Sequence, residues 1–193
     1  MKSLGHRCRS KVAGYSLVEM MMTLAIGLIL VSMALPMLVG TIQNYRLNSM
    51  AQQTANFVEL ARYTAIRRNT TVSMLQTTQN GNTVFFIDLK GDGNLDVGDP
   101  MLMLPSDMQV ANNQSLTPDP ASTGIPQVQN FAGSITFDYR GTVNYPPGGP
   151  MGAYFLALGY TTQTQYGCRA ITVIPMGQTK LWKAPAGGTW TWM

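Results

Sequence analysis

Gly14-Tyr15-Ser16-Leu17-Val18-Glu19-Met20-Met21-Met22-Thr23-Leu24-Ala25-Ile26 decides how this chain is read. It joins a basic segment to an apolar one and sets a carboxylate at the junction. Lys2, Arg7, Arg9 and Lys11 precede it, with no Asp or Glu among them. From Met20 to Ile42 the chain is almost wholly apolar, and no charged residue occurs between Glu19 and Arg46. A helix of that length, rising about 1.5 Å per residue, spans a bilayer core with some tilt. Basic residues before the span and none of opposite sign place the N-terminus in the cytoplasm, so the remainder lies outside the inner membrane. A secretory signal peptide shares the basic start and apolar stretch, but this run is long for one and no A-x-A-like site follows it. Neither a signal peptide nor a plain single-span anchor has a use for Glu19. A carboxylate in hydrocarbon is costly unless paired, so Glu19 calls for a cationic partner.

The bulk numbers narrow the function classes. The net charge is +4, yet beyond the first fourteen residues nine basic side chains face nine acidic ones. The high pI therefore belongs to the leader and is poor evidence for a nucleic-acid surface elsewhere. The only histidine, His6, and one of the two cysteines, Cys8, also lie in that leader. Once the leader is removed, the chain has no histidine and a single Cys168. An intrachain disulfide, a Cys/His metal site and a Ser-His-Asp or Cys-His catalytic site are then excluded. Cys168 lies in a β-prone run and reads as a buried thiol. No enzyme and no cofactor is expected.

The junction resembles the processing site of type IV pilins and type II secretion pseudopilins. Glycine, aromatic residue, glutamate, apolar run and basic leader all occur in the right order, with Tyr15 where the family usually has Phe. The resemblance implies cleavage by a prepilin peptidase between Gly14 and Tyr15 and N-methylation of Tyr15. It also implies that Glu19 pairs with the N-terminal amine of a neighbouring subunit. Pro36 would break an ordinary helix but is tolerated in a membrane; the resemblance makes it a kink site in the filament. Gly27 and Gly40 read as places for close helix packing.

Beyond the apolar run the periodicity changes. Leu47, Met50, Thr54, Phe57, Val58, Ala61 and Ala65 recur at three- and four-residue spacing, which predicts an amphipathic continuation of one helix from about Leu17 to Arg68. Glu59 and Arg62 read as an ordinary surface i, i+3 pair, and Arg67-Arg68-Asn69 as the helix end. Short β-prone runs follow at Val72–Leu75, Val84–Leu89, Met101–Leu104, Ile135–Tyr139, Tyr154–Leu158, Ala170–Ile174 and Thr179–Trp182. Asn80-Gly81-Asn82 and Met176-Gly177 read as hairpin turns. The Pro-rich segment at about 105–131 reads as a long surface loop.

The head resembles the GspH/FimT domain through Val84-Phe85-Phe86-Ile87-Asp88, Gly91-Asp92-Gly93 with Asp96, Met101–Leu104, Ile135-Thr136-Phe137 with Gly141, and Ile171-Thr172-Val173 with Gly177. The expected fold is α+β and type IV pilin-like: a long N-terminal helix, membrane-spanning in its first half, packed on a small antiparallel β-sheet head. The expected organisation is a leader over 1–14, a membrane and filament-core helix over 15–42, and a head over 43–193.

Two clusters invite a sharper chemistry. Asp88, Asp92, Asn94, Asp96 and Asp99 supply oxygen ligands at a density that suits calcium. An EF-hand register fails from Asp88, where Lys90 takes the third position, and from Asp92, where Val97 takes the place of glycine. A turn stabilised by its own Asp and Gly residues is the plainer reading. Lys180, Trp182, Lys183, Trp190 and Trp192 make a basic, aromatic C-terminus. Some relatives take up DNA through a Gly-Arg-x-Arg segment, where this chain has Gly177-Gln178-Thr179-Lys180. Gln178, Lys180 and Lys183 are the candidate DNA contacts. Lysine lacks the bidentate fork of arginine, and the neutral head has no broad phosphate-binding surface. The sequence therefore predicts a minor pilin or pseudopilin, a structural subunit of a type IV pilus or type II secretion pseudopilus. Its expected partners are prepilin peptidase, other pilin subunits, the inner-membrane assembly platform and the lipid bilayer. A DNA-uptake receptor and a calcium-dependent tip adhesin are the alternatives.

Overall fold

The computed structural model describes residues 14–111, 125, 128–145 and 152–193; the basic leader, with His6 and Cys8, lies outside them. The fold has two compact units, the first ending at Thr41 and the second running from Ile42 to Met193. A single helix, α1 (Leu17–Arg68, 52 residues), supplies the first unit and opens the second.

In the first unit the apolar side chains of α1 are exposed along its length, Leu17 through Val39. The helix is long and apolar enough to cross a membrane. Its few hydroxyls are satisfied internally: Thr23 donates to Met20 O, Ser32 to Ile29 O and Thr41 to Met37 O. That is what an apolar solvent demands of them. The helix is continuous through Pro36.

In the second unit α1 becomes one-sided. Leu47, Ala51, Thr54, Phe57, Val58, Ala61 and Ala65 are buried, the face that the three- and four-residue spacing predicts. The helix stops in a Schellman motif. Asn69 takes a left-handed conformation (φ 52°), its N–H reaches Ile66 O, and the Thr70 N–H reaches Ala65 O.

That face packs on two sheets. The first contains β1 (Val72–Gln79), β2 (Asn82–Asp88), β3 (Met101–Met103) and β6 (Ser134–Phe137), in the order β3-β2-β1-β6. The β1–β2 hairpin turns on Asn80-Gly81, both at positive φ, which is the two-residue turn that matches strand twist. The second contains β7 (Ala153–Tyr160), β8 (Cys168–Val173), β9 (Thr179–Ala184), β10 (Thr191–Trp192), β4 (Met108–Val110) and β5 (Val128–Asn130). Phe85, Ile87, Leu156, Leu158, Ile171 and Val173 from both sheets join the helix face in one core.

The segment at 105–131 corrects the sequence reading. It is not simply a loop: β4 pairs antiparallel with the end of β7, and β5 pairs parallel with its start. The apolar β7 is buried along almost its whole length, so its second edge needs partners to satisfy its backbone, and these two short strands supply them. Phe131, just after β5, is 1% exposed and meets Phe85 edge-to-face at 6.0 Å. The last hairpin is likewise not the end of the sheet, because β10 adds to β9.

Candidate functional site

Gly14 and Tyr15 precede α1, and both are exposed. Glu19 lies in the first turn of the helix. None of the ion pairs among the described residues involves Glu19. A carboxylate near a helix N-terminus gains from the helix dipole. Gly14, Tyr15 and Glu19 are thus all exposed within six residues of one another.

The acidic segment following β2 is organised as a turn. Asp88 is 4% exposed and accepts from the backbone N–H groups of Lys90, Gly91 and Gly93. Burial acts to raise its pKa, but the bonds from Gly93, Gly91 and Lys90 outweigh it and hold the carboxyl below its ordinary value. Asp92 accepts from Asn94 N, and Asp99 accepts from Leu89 N and Asp96 N. Lys90 pairs with Asp96 at 2.6 Å. Among the described residues no group of three or more His, Cys, Asp or Glu side chains is placed to hold a metal ion. Asp88, Asp92 and Asp99 are spent on backbone donors, which is the chemistry of turn residues.

The three candidate DNA contacts do not share one face. Gln178 follows Gly177 in the β8–β9 turn, where Gly177 (φ 79°) donates to Ile174 O at 2.7 Å. Lys180 and Lys183 stand three residues apart on β9, so strand alternation sends them to opposite faces of the sheet. Lys180 lies 5.5 Å over the Trp192 ring. Two of the tryptophans pack within the head: Trp182 donates to Thr172 Oγ1 at 3.0 Å, and the buried Trp190 meets Phe155 edge-to-face at 5.2 Å. Cys168 is buried, and burial pushes its thiol pKa up, which removes reactivity.

Two features escaped the sequence. Glu59 and Arg62 do pair at 3.4 Å, but only about a quarter of each side chain is exposed. Arg62 also donates to Gly141 O, and Glu59 accepts from Thr179, so the pair ties α1 to the turn after β6 and to the start of β9 and is not mere surface support. Arg169 in β8 is buried and reaches back to Asn44 and Asn48 of α1. Its signal in the sequence was only a charged residue inside an apolar run.

The profile of the type II transport protein GspH family matches residues 50–177, covering most of the head. The chain belongs to the GspH family. The prokaryotic N-terminal methylation motif matches residues 9–35, across Gly14, Tyr15 and Glu19. A GspH head behind a methylation motif is the make-up of a minor pilin or pseudopilin. Among solved structures, the type IV minor pilin FimU of Pseudomonas aeruginosa is similar at 15% identity and a TM-score of 0.46, covering 74% of this chain and 96% of that one. The minor pseudopilin EpsH of the type 2 secretion system of Vibrio cholerae is similar at 13% identity and a TM-score of 0.45, covering 70% and 95%. No curated protein sequence matches the chain at a significant level.

Proposed function

We propose that this GspH-family protein is made as a membrane-anchored precursor, cut between Gly14 and Tyr15 by a prepilin peptidase, and methylated on Tyr15. It then enters a type IV pilus or type II secretion pseudopilus as a minor structural subunit. The observation that carries this reading is the methylation motif across residues 9–35, continuous with a helix whose apolar side chains are exposed. Before assembly the helix lies in the inner membrane with its N-terminus cytoplasmic and its head periplasmic. Extraction from lipid requires an equally dry environment, which the bundled helices of neighbouring subunits supply. Glu19 then finds its cation in a neighbour's N-terminal amine, and Pro36 provides the point at which the helix bends or unwinds. The protein acts by assembly and not by catalysis. Its partners are the peptidase, other pilin subunits and the inner-membrane assembly platform.

The test is fractionation of cells expressing the full chain. It should be recovered in sheared filament fractions when a prepilin peptidase is present and remain in the membrane when it is absent. Equal recovery in both cases would contradict the proposal. Co-purification with a type IV pilus motor or a type II secretion motor assigns the filament.

A further inference from the structure

The second unit contains a cavity of about 470 Å³ walled by Asn44, Gln165, Tyr166, Arg169, Lys183 and Thr191, with Ala184 and Pro185. Among the described residues no carboxylate lines it, and the two charged side chains that do are both positive: Arg169 of β8 stands directly opposite Lys183 of β9 in the strand register. Like charges in that position destabilise a sheet. Arg169 is only 6% exposed, and its guanidinium keeps its proton whatever its surroundings.

Neutral groups hold the guanidinium in place. Nε donates to Asn48 Oδ1, one terminal nitrogen to Asn44 Oδ1 at 3.2 Å, and the other to Cys168 O at 3.0 Å. Three of its five N–H donors are thereby aimed and none is neutralised. None of the ion pairs among the described residues involves Arg169 or Lys183. The rest of the wall carries the amides of Asn44 and Gln165 and the phenol of Tyr166, while the Thr191 hydroxyl is engaged on Lys183 O. A buried, oriented cation beside a second cation, in a cavity without an acid, is built for an anion.

The geometry points to a site for a phosphate group, filled by a phospholipid headgroup while the subunit waits in the membrane. The assignment of depth rests on the membrane-anchored reading above. The apolar run ends at Ile42 and Asn44 lies two residues further along the same helix, about 3 Å of rise. On the membrane-anchored reading this puts Asn44 just beyond the hydrocarbon core, in the headgroup region. A phosphodiester presents two free oxygens to the arginine fork and carries the one negative charge that relieves the Arg169–Lys183 repulsion.

The full chain, purified in neutral detergent, tests this by native mass spectrometry with added phosphatidylglycerol, with diacylglycerol lacking the phosphate, and with inorganic phosphate. One phosphatidylglycerol should bind, diacylglycerol should not, and Lys183→Gln should weaken the lipid about tenfold. Lys183 is exposed, so this variant tests the site without disturbing the core; Arg169→Lys, which keeps the charge and loses the fork, should weaken it further. Inorganic phosphate should compete only weakly. Equal lipid retention by wild type and Lys183→Gln would overturn the site. Phosphate binding as strong as lipid, lost in Lys183→Gln, would overturn the headgroup as its source. A chain that stays soluble without detergent would instead refute the membrane anchor itself, so the two failures are distinct.

Discussion

Arg62 donates from Nε to the carbonyl oxygen of Gly141 at 3.0 Å, joining the C-terminal end of α1 to the turn that follows β6. The same guanidinium holds Glu59, whose other oxygen accepts from Thr179 at the start of β9. Gly177, in the turn before β9, approaches so closely that a Cβ there would lie 2.1 Å from Gly141 O. Helix and two turns are thus locked at one point. Removing a charged hydrogen-bonding partner there costs about 1.5–3 kcal/mol, so Arg62→Ala should lower stability by that order. Gly177→Ala should cost more, because it meets backbone at a positive φ. Urea unfolding of both variants checks the ranking; a Gly177→Ala variant as stable as wild type would contradict it.

Asp88 predicts an acid dependence. Its pKa is held below the ordinary 3.8, so the carboxylate contributes stability that is fully present above the unfolded value and lost as pH falls through the folded one. Unfolding midpoints between about pH 6 and pH 3 should therefore fall for the wild type. Asp88→Asn should be less stable at pH 6 and show a flatter profile. Parallel profiles would show that the turn does not depend on this charge.

How much of this was legible depended on the range of the interaction. The apolar run, the Glu19 junction, the helix end at Asn69 and the Asn80-Gly81 turn are local and could be read directly. The strands β4 and β5 could not, since three-residue strands carry too little pattern and their partner β7 lies far along the chain. Glu59 and Arg62 looked local because they are i, i+3 neighbours, whereas topology brings Gly141 and Thr179 to them. Arg169 is intelligible only once Asn44 and Asn48 are seen beside it, more than a hundred residues away in sequence. The candidate DNA residues lie within six positions of one another in sequence, but strand alternation separates Lys180 from Lys183.

Glu19→Ala should leave membrane insertion intact, since removing a charge makes insertion easier, yet reduce incorporation into filaments. On the proposed pairing, the neighbour's amine would then lose its counter-ion in a dry environment. Immunoblots of membrane and sheared fractions measure both. Unchanged amounts in the sheared fraction would refute the pairing role.

DNA binding should be no better than nonspecific, at about 10⁻⁴ M or weaker near physiological salt. Lys180 is engaged over Trp192, and Gln178 carries no charge. Gln178→Arg with Lys180→Arg places two guanidinium forks at the β8–β9 turn and should produce affinity that falls steeply with salt. Micromolar binding by the wild type, abolished by Lys180→Ala, would reverse this conclusion.

The central claim, a pilin-type subunit made by processing at Gly14, is tested most directly by the intact mass of the protein from cells containing a prepilin peptidase. The mass should correspond to loss of residues 1–14 and gain of one methyl group, with sequencing placing that methyl on the amine of Tyr15. An uncut chain, or a cut near Gly40, would contradict it.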